Sequence, residues 1–358
     1  MNKLEYFLRR NIIFKLITAG FIIGWNWYIF SPDLYSQSIS RVGTAAASFL
    51  KIGVGSRAMS MGEAYTTLSE DASGVFWNPA GLANMDRIQM LYYHYNYVLD
   101  VTYDFGAVVI PTNGLGSIGA FIGYINMGEI ERTTIEYPEG NGERVSASSF
   151  VFGISYGYAL TNRFSIGGNA KYVREDIWHS YASSYAVDIG LLYKSFFMNT
   201  RIAMSITNFG SNMKMEGRDM LIQHDINENM AGNNPRINAH LDTDEFPLPI
   251  LFRVGVSNNI TKDILNLKET DWTVAFDVVH PSDNKEYINL GTELSFMNQL
   301  ISLRAGYHEI FLDDREGGIS LGAGLKFETM GTQVRVDFAA VNRGRLGFNN
   351  ILTLIISL

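Results

Sequence analysis

Seven charged residues in the C-terminal half of the chain fall on the face of their predicted strands that lies opposite the apolar side chains. The set contains both charge signs: Arg253, Asp277, Glu293, Arg304, Lys326, Arg335 and Asp337. Inside a closed sheet these charges would form cross-strand ion pairs, because an unpaired buried charge is strongly destabilising. The pairs would either fill and hold a narrow lumen, which is the interpretation we prefer, or line a path for a solute.

No group of residues in the sequence predicts catalysis or a metal site. The six histidines are scattered, and no pair has metal-ligand spacing. The motifs of serine hydrolases, zinc peptidases and P-loop proteins are absent. Acids and amides over 225–245 could supply calcium ligands, but they lack the spacing of an EF-hand, and a solvated loop explains them better. We therefore predict a protein that is not an enzyme and has no metal or other cofactor.

The stretch over 49–83 is the most informative part of the sequence. It is rich in small residues, and its core reads Phe-Trp-Asn-Pro-Ala-Gly-Leu. Pro79 fixes its own φ and disfavours helix at Asn78, while Gly81 can adopt a positive φ. An Asn-Pro pair followed by Gly predicts a turn. A short helix is predicted before it, from about Arg57 to Leu68.

Composition favours a protein built from alternating strands. The chain has 358 residues, of which 47% are hydrophobic and 13% aromatic, with 34 glycines. Its formal net charge of −8 argues against a nucleic-acid partner. Cysteine is absent, so the sequence excludes disulfides, cysteine-ligated metals and a thiol nucleophile.

The N-terminus has the pattern of a secretory signal peptide over 1–36. Four basic residues precede a mostly apolar run over 16–30, and Ser31-Pro32 ends that run. Leu34-Tyr35-Ser36 is an acceptable cleavage site. A signal anchor is the alternative, but the run is short for a span of about 20 residues.

After Met85 the sequence changes to runs with period-two alternation, which is typical of half-buried strands. Two polar stretches, 127–147 and 210–248, interrupt these runs as long loops, whereas other connections are tight turns such as Thr161-Asn162. An even number of antiparallel strands with short turns at one end and long loops at the other is typical of outer-membrane barrels. Fourteen strands are predicted, near 88–99, 103–112, 115–126, 148–160, 163–175, 182–195, 199–209, 249–260, 271–281, 287–297, 299–308, 318–328, 331–342 and 348–358.

The stretch over 49–83 resembles the N-terminal segment of FadL-like outer-membrane barrels, closest to their PorV/PorQ branch. The resemblance resumes at Leu303-Arg304-Ala305-Gly306-Tyr307 and at Gly322-Ala323-Gly324-Leu325. It implies an all-β fold, a 14-stranded antiparallel transmembrane barrel over 88–358, with an N-terminal plug over 37–87 that contains short helices. The plug residues carried over from the motif are Gly62, Trp77, Asn78, Pro79, Ala80, Gly81 and Leu82.

The same resemblance implies a bacterial outer-membrane protein of the type IX secretion pathway. Its partners would be outer-membrane lipid, translocon or attachment-complex proteins, and the C-terminal signal domains of secreted cargo. Binding would use the extracellular loops over 127–147 and 210–248. The alternative is a FadL-type channel for hydrophobic small molecules, with Phe76, Trp77 and Leu82 lining a pocket. A continuous apolar cavity would favour the channel, and a filled lumen with ordered long loops would favour docking. A soluble secreted β-protein is a third, disfavoured interpretation.

Overall fold

The computed structural model of the protein describes residues 42–99, 101–112, 114–225, 236–265, 270–312, 315 and 317–358. The predicted signal peptide over 1–36 lies outside these ranges, as do residues 226–235 of the predicted long loop. Within the described residues, no helix combines the length and apolar character needed to cross a membrane.

The described chain is a closed antiparallel β-barrel of fourteen strands, as predicted. The barrel strands are β1 Gln89–Asn96, β2 Thr102–Pro111, β3 Ser117–Glu131, β4 Arg144–Thr161, β5 Phe164–Ile177, β6 Ser180–Lys194, β7 Arg201–Gly210, β12 Leu251–Asn259, β13 Thr270–Pro281, β14 Tyr287–Phe296, β15 Ile301–Ile310, β16 Ile319–Thr329, β17 Thr332–Asn342 and β18 Phe348–Ser357. Strand β1 pairs with both β2 and β18, and β7 pairs with both β6 and β12, so the sheet closes on itself.

The two ends of the barrel differ in their connections. Tight turns such as 162–163 and 330–331 lie at the end where β1 begins and β18 finishes, which we call the short-turn end. The connections 132–143 and 211–250 lie at the opposite end, which we call the long-loop end. A π-helical turn, Ile260–Leu265, follows β12 at the short-turn end.

Side chains alternate between the two faces of the wall because successive strand residues point in opposite directions. On β4, Phe152, Ile154 and Tyr156 are exposed on the outer face, whereas Gly153 and Ser155 are buried on the inner face. The outer face is therefore an apolar band suited to lipid, and the inner face is small or polar.

Described residues 42–88, which we call the plug, lie inside the barrel, and the helices among them are short. They are a 3₁₀ turn Ser48–Lys51, α1 Ser56–Ser60, α2 Gly74–Trp77 and a 3₁₀ helix Pro79–Asn84. The helix predicted to reach Leu68 ends at Ser60, because Gly62 and Glu63 adopt positive φ values of 62° and 63°. A residue in that conformation cannot continue a right-handed helix.

The long connection between β7 and β12 contains structure that the sequence did not predict. Its elements are β8 Met213–Gly217, a 3₁₀ turn Arg218–Met220, β9 Leu221–His224, β10 Ile237–His240 and β11 Glu245–Phe246. Strand β8 pairs with β11 and with the first residues of β6, at the long-loop end, so it extends the barrel wall. Strands β9 and β10 form a separate two-stranded sheet.

Candidate functional site

The N-terminal segment is seated in the lumen through glycine notches in the wall. Met61 and Gly62 press against β14, β15 and β16, and a Cβ at Gly306 would lie only 2.0 Å from the Gly62 nitrogen. A Cβ at Gly291 would lie 2.4 Å from the Met61 carbonyl oxygen. Such distances are far below van der Waals contact, so this approach of two backbones requires glycine in the wall.

A second set of notches receives the Asn-Pro-Ala turn on the opposite wall. A Cβ at Gly190 would lie 2.0 Å from Oδ1 of Asn78, and one at Gly167 would lie 2.3 Å from the Pro79 carbonyl carbon. Ala80 is fully buried beside these strands. The plug is thus clamped between two opposite parts of the wall.

Asn78 is the hydrogen-bonding centre of this turn. Its Nδ2 donates to the carbonyl oxygens of Thr66 (3.0 Å) and Leu191 (3.1 Å), and its Oδ1 accepts from the Ala80 N–H (3.1 Å). The first bond ties the turn to the plug and the second ties it to β6. The last bond caps the 3₁₀ helix that begins at Pro79.

The remaining motif residues fill the plug interior. Trp77 is fully buried and donates its Nε1–H to the Val54 carbonyl at 2.8 Å. Gly81 lies against the Ser69 carbonyl, where a Cβ would be 2.0 Å from the oxygen. Leu82 is fully buried beside Gly74. These contacts give the aromatic and leucine residues a packing role within the plug.

Four of the seven predicted lumen charges form one ion-pair network at the short-turn end. Arg304 donates to Glu293 (2.5 Å) and to Asp337 (2.7 Å), and Arg335 lies 2.9 Å from Asp337. The plug completes the network from the other side. Arg57 pairs with Glu293 at 2.7 Å, and Asp71 pairs with Arg335.

The other three predicted charges lie apart from this network. Asp277 accepts hydrogen bonds from the plug N–H groups of Tyr65 (3.0 Å) and Thr66 (2.9 Å). Arg253 places its guanidinium 5.3 Å from the Trp77 ring. Lys326 donates to Gln299 at 3.2 Å. Two of the three therefore also contact the plug, but by hydrogen bonding and cation–π contact rather than by ion pairing.

Sequence reasoning missed a second buried charge pair on the other half of the wall. Lys171 on β5 lies 2.7 Å from Asp188 on β6, and both are almost fully buried. Asn169 donates to Asp188 (2.7 Å) and to the plug carbonyl of Val75 (2.7 Å). The alternation along β5 could have revealed this pair, because it places Asn169 and Lys171 on the lumen face of the strand.

The lumen is packed at the long-loop end and hollow at the short-turn end. Aromatic rings from the wall and the plug meet near Phe105, which stacks on Phe121 (5.6 Å between centroids) and meets Phe76 edge-on (6.2 Å). The cavity beside them, which Lys171, Asp188 and Arg253 also line, has a volume of about 10 Å³, too small for more than one water. At the other end, a cavity of about 430 Å³ is lined mostly by charged and polar side chains, including Arg57 and Asp71.

The connections at the long-loop end contact one another. Arg132 in the connection after β3 lies over the Trp178 ring (5.1 Å), and His179 lies 3.2 Å from Asp219 in the long connection. The hydrogen bond from Arg132 also lowers the pKa of Glu143 below its ordinary value. Three connections therefore present one continuous surface above the barrel.

A groove of about 460 Å³ crosses this surface within the long connection. It runs between β8 and the base of the β9–β10 sheet. Its lining combines flexible apolar side chains, including Met215, Met220 and Leu241, with charges of both signs. The pKa of Lys214 is raised by its hydrogen bond with Asp242 at one rim. Methionine-lined grooves adapt to different apolar partners.

In the part of the chain that the structure describes, no cluster of histidine and carboxylate side chains has the arrangement of a metal site. The predicted calcium ligands over 225–245 lie partly outside the described residues.

Comparison with known proteins gives a family. The model of the family described as type IX secretion system protein PorV matches residues 35–266. No curated protein matches the sequence.

Solved structures with a similar fold include transporters and channels. The toluene transporter TbuX of Ralstonia pickettii is 13% identical, with 85% of this chain and 97% of that chain covered and a TM-score of 0.52. The CymD monoaromatic hydrocarbon channel is 12% identical, with 85% and 96% covered and a TM-score of 0.51. A Pseudomonas aeruginosa FadL homologue is 12% identical, with 86% and 98% covered and a TM-score of 0.49. At these identities the likeness to TbuX and CymD shows the fold alone.

Proposed function

This chain belongs to the PorV family of type IX secretion system proteins and is a bacterial outer-membrane barrel, and from that premise we propose that it binds secreted cargo or secretion partners through its extracellular loops. In outer-membrane barrels short turns face the periplasm and long loops face outward. The long-loop end is accordingly the extracellular end. Family and fold both indicate a role that is not enzymatic.

The observation that carries the proposal is the contrast between a lumen that is closely packed at its long-loop end and loops whose described residues form strands and a groove. The plug is clamped by glycine notches and joined to the wall by ion pairs, which supports a scaffold rather than an open path. The described parts of the loops contact one another and form a groove of about 460 Å³. Loops on a rigid scaffold commonly carry binding function.

By family membership, the partners we propose are proteins of the type IX translocon or cell-surface attachment complex and the C-terminal signal domains of cargo. Outer-membrane lipid would contact the apolar outer band. A channel for hydrophobic small molecules would need a continuous apolar cavity. The cavity beside Phe76 and Phe105 holds only about 10 Å³, and charged side chains such as Lys171 and Asp188 share its lining, so we favour docking.

A loop replacement tests the proposal. Residues 218–241 would be replaced by a short Gly-Ser linker, which keeps β8, β11 and the buried Met213 that packs in the core. Because β7 and β12 are paired neighbours, the barrel should still close. We expect the variant to lose binding to a purified cargo signal domain while retaining the heat-modifiable gel mobility of a folded barrel.

Two controls accompany this replacement. A Gly-Ser insertion in the periplasmic turn at Met330, a fully exposed side chain, should leave binding unchanged. A separate replacement of 133–142 measures the contribution of the second loop. Unchanged binding after both extracellular replacements would contradict the proposal.

A further inference from the structure

The β9–β10 ribbon in the long extracellular loop is an incomplete sheet. It has two strands, and almost all of its residues are exposed, including Leu221 (43%) and Ile222 (38%). Within the described residues no third strand pairs with either of them. A two-stranded ribbon without a core is marginally stable in water, and additional strands stabilise it.

The hydrogen-bond pattern shows which backbone groups face outward. Leu241 donates its N–H to the Met220 carbonyl at 2.8 Å, which makes 220 and 241 a hydrogen-bonded pair of the same ladder. In an antiparallel pair, hydrogen-bonded and non-hydrogen-bonded positions alternate. The facing residues Gln223 and Asn238 therefore direct their N–H and C=O groups to the outer edges of the ribbon.

The surroundings of the ribbon indicate what could pair with it. The groove at its base is lined by Leu221 and His240 of the ribbon and by Met215 and Met220. It has room for an apolar side chain next to the ribbon edge. The described residues on both sides of the groove, 213–225 and 236–246, also carry more acids than bases. Their formal net charge is −3, from Glu216, Asp219, Asp225, Asp242, Asp244, Glu245, Lys214, Arg218 and Arg236.

We propose that the ribbon is a strand acceptor: an extended, positively charged segment of a partner protein adds as a third strand to one edge of β9–β10 and inserts an apolar side chain into the groove. Such strand addition takes its affinity from main-chain hydrogen bonds and its selectivity from side-chain pockets. The acidic surroundings complement the basic segment and would speed its association. This inference rests on the proposed function and specifies how the partner is recognised.

Proline substitutions test it at the backbone. Gln223→Pro removes an outward N–H of β9 without removing a ladder bond, and Asn238→Pro does the same for β10. The matched control is Gln223→Ala, which loses the side chain but keeps the N–H. With a purified cargo signal domain as the probe, we expect one proline variant to bind at least about tenfold more weakly, since one or more main-chain bonds are lost. Gln223→Ala should bind like the unmodified protein.

Hydrogen exchange on the unmodified barrel provides a second readout that does not depend on the variants folding. Binding of the signal domain should slow amide exchange in 221–224 or 237–240, and added salt should weaken binding. If both proline variants bind normally, or if neither strand gains protection in the complex, strand addition is wrong while docking stands. If the signal domain does not bind the unmodified barrel, the proposed function fails and takes this inference with it.

Discussion

The extracellular and periplasmic halves of the lumen hold the same plug by different physical means. In the extracellular half, rings from β1, β2 and β3 pack against the plug with almost no free volume, as Phe105 and Phe121 illustrate. In the periplasmic half, ion pairs join the plug to β14 and β17, and Arg304 of β15 links these two strands, beside a polar cavity of about 430 Å³.

This difference indicates how the barrel stays closed. Apolar packing is non-directional and excludes water, so it seals the extracellular half. Charges next to a polar cavity do not exclude water from the lumen. Each buried charge is destabilising without its partner, so the ion pairs fix the plug in one position. The extracellular half therefore blocks passage through the lumen, and the periplasmic half holds the plug in its position.

The largest expected effect comes from breaking the buried network. Asp337→Asn leaves Arg304 without one of its two carboxylate partners, so the free energy of unfolding should fall by about 3–5 kcal/mol. Urea unfolding in lipid or detergent measures the change. Lys326→Gln is the control, because among the described residues its side chain hydrogen-bonds only to Gln299, and it should change stability by less than about 0.5 kcal/mol. Equal effects from the two variants would show that the buried ion pairs stabilise the barrel no more than a charge that only lines the cavity.

The next effect comes from filling a notch. Gly306→Ala would place a methyl group 2.0 Å from the Gly62 nitrogen, so the plug or β15 must shift, at a cost of about 1–3 kcal/mol. Gly106→Ala is the matched control, because the nearest atom to its Cβ lies at 3.6 Å. Unfolding measurements on both variants report the difference. If Gly306→Ala were as stable as Gly106→Ala, the clamp would not restrain the plug.

A smaller effect probes the extracellular half. Ile125→Val removes one buried methylene from the apolar packing and should cost about 0.5–1.5 kcal/mol. Because no charge is involved, the cost should not change with salt concentration. Ile122→Val, on the lipid-facing side of the same strand, should cost less. A salt-dependent cost at Ile125 would contradict the dry character of this half.

The smallest effect is expected at the hydrated edge of the periplasmic cavity. Arg201 pairs with Glu70 of the plug at 2.7 Å, but about a third of each side chain is exposed. Arg201→Gln should therefore cost about 0–1 kcal/mol, and that cost should vanish in high salt. Unfolding in low and high salt checks this. A large, salt-independent cost would place this pair with the buried network.

Much of the barrel could be predicted from the sequence, because strand alternation is a local property. The predicted strands 88–99 and 348–358 correspond to Gln89–Asn96 and Phe348–Ser357. The strands β8 to β11 were not predicted, since they are short and their polar residues hide the alternation. The pairing of β8 with β6 depends on contacts distant in sequence.

Only the wall residues of the candidate site could be predicted from the sequence. Glu293, Arg304, Arg335 and Asp337 lie on regular strands, so their common face could be read from the pattern. Their plug partners could not, because the plug has no period to follow. Arg57 and Asp71 are brought to the network by positive-φ turns and close backbone contacts that only the folded chain reveals.

The most direct test of the central claim, a sealed barrel that works through its outer loops, is the conductance of the purified, unmodified protein in a planar lipid bilayer. The account predicts no sustained channel openings, because the plug and the aromatic packing close the extracellular half. A steady open conductance from the unmodified protein would contradict it and would turn attention from docking to transport.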